Sequence, residues 1–131
     1  METFSERREF ARFIPREQAF VALPNSGRLG PLRDISLCGV GCEFIVNFSQ
    51  GKISTVGVAP ALPADIFASN KSLYLRNILC RVAYDVYVPE DQPSYRMSIT
   101  KRRCGLKFEQ LNEDHKEHIK HFLENNTVES A

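Results

Sequence analysis

The segment from Leu73 to Val88 constrains the fold of this chain more than any other part of the sequence. It reads LYLRNILCRVAYDVYV, and from Ile78 onward apolar side chains recur at every second position. This period of two is typical of a β-strand with one buried face. Leu73 and Leu75 are apolar in the opposite phase, so the sequence predicts a bulge or break near Asn77.

Shorter stretches with strand character lie on both sides of this segment. They are Glu17–Leu23, Arg28–Ser36, Val40–Val46, Ala64–Phe67 and Tyr95–Phe108. Near the end, Asn112 can cap a helix whose apolar face includes Ile119 and Phe122. The strands are too short and too closely spaced for alternating strand–helix units. The pattern predicts a mainly β fold: a small antiparallel six-stranded β-barrel with a C-terminal α-helix.

The 131 residues are enough for a single domain that spans the whole chain, 1–131. We expect four parts along the chain. They are an N-terminal arm at 1–16, the barrel at 17–110, the helix at 112–125 and a polar tail at 126–131. The arm mixes charged and aromatic residues without a clear period, and we expect it to be flexible.

The composition is that of an ordinary soluble globule, with 43% hydrophobic and 25% charged residues. A net charge of +1 gives no overall field that would attract DNA or an anionic membrane. No apolar run is long enough to span a bilayer, so we expect no membrane insertion. The N-terminus is charged where a signal peptide is apolar, which favours a cytoplasmic protein.

The cysteines and histidines give little indication of a metal. The four cysteines include no CxxC pair, so free, mostly buried thiols are the simpler interpretation and a zinc site is the alternative. His115, His118 and His121 are three residues apart, whereas metal-binding helices prefer pairs at i and i+4. No nucleophile elbow, phosphate loop or HExxH motif is present in the sequence. We therefore expect neither a metal or cofactor nor an enzymatic activity.

Two short motifs carry functional information. The first runs from Arg8 to Arg12 and has the form RxxxR, with Arg7 directly before it. The second runs from Asp34 to Gly39 and has the form DxSxxG. In this order and spacing they resemble the two signatures of the PilZ family, bacterial receptors of cyclic di-GMP. Residues 102–123 also resemble the last strand and C-terminal helix of that family, so the resemblance covers essentially the whole chain and implies a PilZ-type barrel.

The resemblance implies a set of residues that bind cyclic di-GMP. They are Arg7, Arg8, Arg12, Asp34, Ser36 and Gly39. Arginine presents a planar fork of donors that suits phosphate oxygens or guanine O6 and N7. An ionised Asp34 only accepts hydrogen bonds, which suits the N1–H and N2–H₂ donors of guanine. Ser36 adds a small hydroxyl, and Gly39 lacks a Cβ, so the backbone there can approach the ligand or turn sharply.

Three further positions leave alternatives open. In the PilZ family, an arginine directly before RxxxR is associated with an intercalated ligand dimer, so Arg7 implies two cyclic di-GMP molecules per chain. Arg103, in the run Lys101–Arg103, either contacts phosphate or lies at a solvated strand end. Tyr84 either packs in the core, on the face that it shares with Val82 and Val86, or lies against a guanine.

The resulting hypothesis is a receptor or adaptor that changes conformation when cyclic di-GMP binds and regulates an unidentified effector protein. The family implies control of motility, biofilm or exopolysaccharide. One alternative is an adaptor with the same fold that acts through protein contacts without the ligand. Another is a β-barrel that binds single-stranded nucleic acid through the basic arm and exposed aromatic residues, although the near-zero net charge disfavours it.

Overall fold

The computed structural model describes residues 11–47, 61–88 and 99–129. Within these ranges the chain forms eight strands and one α-helix. The strands are β1 (Phe13–Pro15), β2 (Ala19–Leu23), β3 (Arg28–Ile35), β4 (Gly39–Asn47), β5 (Leu62–Ala68), β6 (Tyr74–Val88), β7 (Ile99–Phe108) and β8 (Thr127–Glu129), and the helix is α1 (Glu113–Asn125). Arg7 and Arg8 lie outside the described residues.

Six strands close into an antiparallel barrel because β3 pairs with both β2 and β4. The order runs β2–β5–β6–β7–β4–β3, and a further pairing of β2 with β3 closes the ring. The first half of β3, Arg28 to Pro31, pairs with β2, and its second half pairs with β4. Gly30 lies in the first half, where an added Cβ would overlap the backbone oxygen of Glu43. The absence of a side chain therefore lets the two strands approach closely at this corner. The predicted six-stranded barrel is confirmed.

The predicted interruption of β6 is also confirmed. Asn77 adopts a positive φ of 57°, and the register between β5 and β6 shifts beside it. The Asn77 backbone N–H donates to Asp65 Oδ1 at 2.8 Å, which compensates for the broken ladder. The shift lets Leu75 and Ile78 both point into the core although they are three residues apart.

The barrel interior is mainly apolar, but it also holds charged groups, among them Asp85 and Arg28. The core combines aliphatic side chains from β2 to β7 with three cysteines, Cys42, Cys80 and Cys104. Asp85, whose side chain is fully buried, accepts from Arg102 Nε at 2.7 Å, and Arg102 Nη2 donates to the Asp85 carbonyl oxygen at 3.0 Å. Arg102 is therefore not at a solvated strand end with Lys101 and Arg103, because Asp85 holds it against the barrel interior.

The C-terminal helix completes the core as its sequence predicts. Asn112 caps it, because its side-chain oxygen accepts from the His115 backbone N–H at 2.7 Å. Ile119, Phe122 and Leu123 are buried in the same cluster as the barrel side chains. No helix in the described ranges is long and apolar enough to cross a membrane.

The two ends of the described chain pair with each other. β1 pairs with β8 from Phe13 opposite Glu129 to Pro15 opposite Thr127. The Arg16 backbone N–H donates to the Asn126 carbonyl oxygen at 2.8 Å and extends this contact. Residues assigned by sequence to an arm and a polar tail are thus strands. Only the folded sheet brings them together, which is why neither segment shows a strand pattern of its own.

Candidate functional site

A row of four residues crosses the outer face of strands β3, β4, β7 and β6. Asp34 pairs with Gly41, Gly41 with Gly105, and Gly105 with Tyr84. The two strands at the ends of this row, β3 and β6, each carry a bulge next to it. The register shifts between Leu32 and Asp34 in β3 and between Val82 and Tyr84 in β6. A bulge turns the following side chain to the other face of its strand. The two bulges thereby direct Asp34 and Tyr84 onto the same surface.

The two glycines form a floor between these side chains. A Cβ added at Gly41 would lie 2.8 Å from Asp34 Oδ1. A Cβ added at Gly105 would overlap the ring of Tyr84, which supplies all three of its nearest atoms. Asp34 thus leans over one glycine and Tyr84 over the other. We call this row of Asp34, Gly41, Gly105 and Tyr84 the Asp34–Tyr84 trough.

Arg12 lies at the acidic end of the trough. Its Nη1 is 3.9 Å from Asp34 Oδ2, and the two side chains are 41% and 27% exposed. The strand pairing of Phe13 with Ile35 sets this position, because Arg12 directly precedes Phe13. At this distance the ion pair is loose and partly hydrated, so exchanging it for another partner costs little free energy.

The charges of Asp34 and Arg12 both affect the pKa of Tyr84. Burial raises the pKa of its phenol, the charge of Asp34 raises the pKa further, and Arg12 acts in the opposite direction. The ring is therefore neutral at physiological pH and half-buried. The interpretation that Tyr84 shares a face with Val82 is wrong, because the extra residue Ala83 places the two on opposite faces. An alternating pattern does not reveal such an inserted residue.

Ser36 and Gly39 shape the turn between β3 and β4. Ser36 is only 6% exposed, and its hydroxyl oxygen accepts from the Cys38 backbone N–H at 3.1 Å. Its backbone N–H donates to the Gly39 carbonyl oxygen at 2.9 Å. A Cβ on Gly39 would overlap the carbonyl oxygen of Leu106, so the close approach at this glycine is to β7. Both residues hold the end of β3, and with it Asp34, in a defined position.

Arg103 lies on the same face as the trough, two residues before Gly105 in β7, and it contacts Glu43 together with Arg33. Arg103 donates from Nε and Nη2 to Glu43 Oε2 at 3.3 and 3.0 Å. Arg33 donates from Nη1 to the same oxygen. Burial alone raises the pKa of Glu43, but the hydrogen bond from Arg103 and the charge of Arg33 outweigh it and lower the pKa. We call these three residues the Glu43 cluster.

Three of the four cysteines, Cys42, Cys80 and Cys104, are buried in the barrel core. All four are free, as the sequence predicts. Burial raises the pKa of Cys80 to about 12, and the hydrogen bond with Cys104, followed by burial, raises the pKa of Cys42. Among the described residues, no three His, Cys, Asp or Glu side chains lie close enough to hold a metal ion.

The structure thus brings Arg12, Asp34 and Tyr84 together and places Arg103 beside them. Sequence reasoning missed Gly41 and Gly105, and it missed Arg33. A glycine inside a strand marks a close approach, so the two glycines could have been noticed. Their common row and the direction of Arg33 depend on strand register, which the sequence does not display.

The trough can bind a flat group by hydrogen bonds to the edge of that group and by stacking against its face. Asp34 can accept two neighbouring N–H donors, and the half-buried ring of Tyr84 offers a stacking surface. Arg12 and the nearby arginines add donors suited to an anion. This combination fits a planar heterocycle that carries a phosphate.

Comparisons with known proteins agree with the architecture. A sequence model of the PilZ domain family matches residues 6–125. The structure of MrkH, a c-di-GMP-dependent transcription regulatory factor, is similar with a TM-score of 0.63 at 17% identity, over 91% of this chain and 50% of MrkH. The chain thus spans about half the length of MrkH.

A second similar structure is the PilZ domain of YcgR from Escherichia coli with c-di-GMP. It has a TM-score of 0.58 at 12% identity, over 92% of this chain and 91% of that domain. At such low identities these two likenesses show the fold. Comparison with curated protein sequences finds no significant match.

Proposed function

The chain belongs to the PilZ domain family, and on this premise we propose that it is a receptor for cyclic di-GMP that binds the ligand without chemical conversion. The Asp34–Tyr84 trough carries the proposal, because it sets a carboxylate and an aromatic ring on either side of a glycine floor. The YcgR domain was solved with c-di-GMP and MrkH depends on it, which supports this choice of ligand.

Guanine recognition uses the two walls of the trough. The Asp34 carboxylate accepts from N1–H and N2–H₂ of one guanine, a pair of donors that adenine does not offer on that edge. The face of the base lies against Tyr84. The glycine floor favours this arrangement because a side chain at Gly41 or Gly105 would displace Asp34 or the ring.

The arginines bind the phosphates of cyclic di-GMP. Arg12 changes its partner from Asp34 to the ligand, which its loose 3.9 Å contact allows. Arg8 and Arg7 act from the arm, and Arg7 favours two ligand molecules per chain. Ser36 and Gly39 support the site by fixing the turn beside Asp34.

Binding is passed to an effector protein through the arm. Charge-assisted contacts with Arg8 and Arg12 order the arm against the barrel, at a cost in chain entropy that these contacts must exceed. The end of the arm forms β1, which pairs with β8, the strand that follows α1 along the chain. Arm, ligand and C-terminal strand then form one surface for a partner.

Isothermal titration with cyclic di-GMP tests the proposal. We expect saturable binding with a ratio near two, and no binding of GTP or a single-stranded oligonucleotide. Asp34→Asn replaces an acceptor by a donor, and the loss of a charge-assisted hydrogen bond of about 1.5–3 kcal/mol weakens binding roughly 10- to 150-fold. The control Asp114→Asn has the same change in charge on the exposed side of α1 and leaves binding unchanged.

Tyr84 offers a second, matched pair of variants. Tyr84→Phe keeps the ring and retains most of the affinity. Tyr84→Ala removes a stacking contact of about 1–3 kcal/mol and lowers affinity roughly 5- to 150-fold. A wild-type protein that does not bind cyclic di-GMP would refute the proposed function and favour the ligand-free adaptor. A ratio near one ligand molecule per chain would refute only the proposed role of Arg7.

A further inference from the structure

The Glu43 cluster joins two arginines from different strands through one carboxylate oxygen. Arg33 is the extra residue of the bulge in β3, and Arg103 lies opposite Glu43 on β7. Both donate to Glu43 Oε2. The two arginine side chains remain 47% and 41% exposed, whereas that of Glu43 is 14% exposed. The carboxylate therefore lies beneath the two guanidinium groups.

The cluster keeps a surplus of positive charge and of donors. Two guanidinium groups and one carboxylate leave a net charge of one positive unit. A guanidinium has five N–H donors in a planar fork. Arg33 uses one donor, from Nη1, in its hydrogen bond to Glu43, and Arg103 uses two, from Nε and Nη2. Because both side chains are partly exposed, the other donors can meet an anion from solvent.

The cluster borders the trough on the same face of the sheet. Gly41 and Glu43 are two residues apart in β4, and Gly105 and Arg103 are two residues apart in β7. Alternate residues of a strand share a face and lie about 7 Å apart. Arg33 is adjacent to Asp34 along the chain. A nucleotide whose base lies in the trough can therefore bring the phosphate on its ribose within range of these arginines.

We propose that Arg33 and Arg103, held together by Glu43, bind a phosphate of the cyclic dinucleotide whose guanine occupies the trough. This inference rests on the proposed function and adds to it two arginines anchored on the barrel. Arg33 has no place in either sequence motif. Glu43 acts as a positioning residue: it relieves the repulsion between the two cations and orients their free donors outward.

The test compares three variants that each remove one positive charge. Arg33→Gln and Arg103→Gln lose cluster donors, whereas Arg76→Gln changes an exposed residue near the other end of β6. Cyclic di-GMP affinity is measured by isothermal titration and folding by circular dichroism. We expect each cluster variant to bind about tenfold more weakly, the lower end for a hydrogen bond to a charged group because the arginines stay partly exposed. Arg76→Gln binds as the wild type does.

Salt dependence separates a phosphate contact from a structural role. Raising the salt from about 0.1 to 1 M shortens the Debye length from about 10 to 3 Å. The difference in affinity between wild type and the cluster variants then shrinks, because it arises from charge. Cluster variants that bind like Arg76→Gln at low salt overturn the inference while leaving the receptor intact. A defect that is the same at both salt concentrations also overturns it.

Discussion

Replacing Gly105 by alanine tests the architecture of the trough with a single methyl group. The added Cβ would overlap the Tyr84 ring, which supplies the three atoms nearest to it. Because Gly105 is buried between β4 and β6 and pairs with Gly41 and Tyr84, the backbone has little room to move away. The ring of Tyr84 must therefore swing out of the trough.

The cost follows from the size of the overlap. Overpacking by one methyl group typically destabilises a fold by about 1–3 kcal/mol. For a chain of 131 residues, this lowers the melting temperature by roughly 4 °C per kcal/mol. Displacing the ring also removes the stacking surface, so cyclic di-GMP binding weakens by about as much as in Tyr84→Ala, roughly 5- to 150-fold.

A double-mutant cycle isolates the contact. The free energy of unfolding is measured by urea denaturation for wild type, Gly105→Ala, Tyr84→Ala and the double variant. If the methyl group and the ring compete for one space, Gly105→Ala costs about 1–3 kcal/mol in the wild type and close to nothing once the ring is absent. An equal cost in both backgrounds would show that the methyl group meets something other than Tyr84 and would refute the reasoning.

Three other perturbations test the barrel around the site. Asp85→Ala leaves the largely buried Arg102 without its carboxylate and costs about 3–5 kcal/mol by urea denaturation. Asp114→Ala on exposed helix surface costs far less, and equal costs would contradict the role of the Asp85–Arg102 pair. Asn112→Ala removes the cap of α1 and costs about 1 kcal/mol by the same measurement, whereas Asn112→Ser retains most of the stability. The folded-state pKa of Glu43 is below its ordinary 4.5, so its stabilising contribution is present above pH 4.5 and is lost as pH falls through the lowered pKa. The free energy of unfolding, measured as a function of pH, should therefore differ between wild type and Glu43→Gln above that pKa and become equal below it.

Much of the barrel could be predicted because its signals are local. The change of phase around Asn77 is visible in the sequence, and the structure has a positive φ and a register shift there. The helix also follows from local signals, a capping Asn112 and buried residues at helical spacing. β1 and β8 could not be predicted, because each has only three residues and is stabilised by the other.

The candidate site was predictable in part for the same reason. Asp34 stands out through its motif, and Arg12 through its spacing from Arg8. The face on which Tyr84 lies was not predictable, since one inserted residue, Ala83, reverses it. Arg102 was grouped with its charged neighbours, but pairing with Asp85 places it at the barrel interior.

The sequence by itself determined the six barrel strands, the capped helix and the two motifs, because these depend on residues close together along the chain. The tertiary structure alone decided which residues share the outer face of the barrel. Register and bulges brought Asp34 and Tyr84 to the two sides of Gly41 and Gly105. A shift of one residue in any of these strands would turn its side chains to the opposite face, so the site depends on pairings between distant segments.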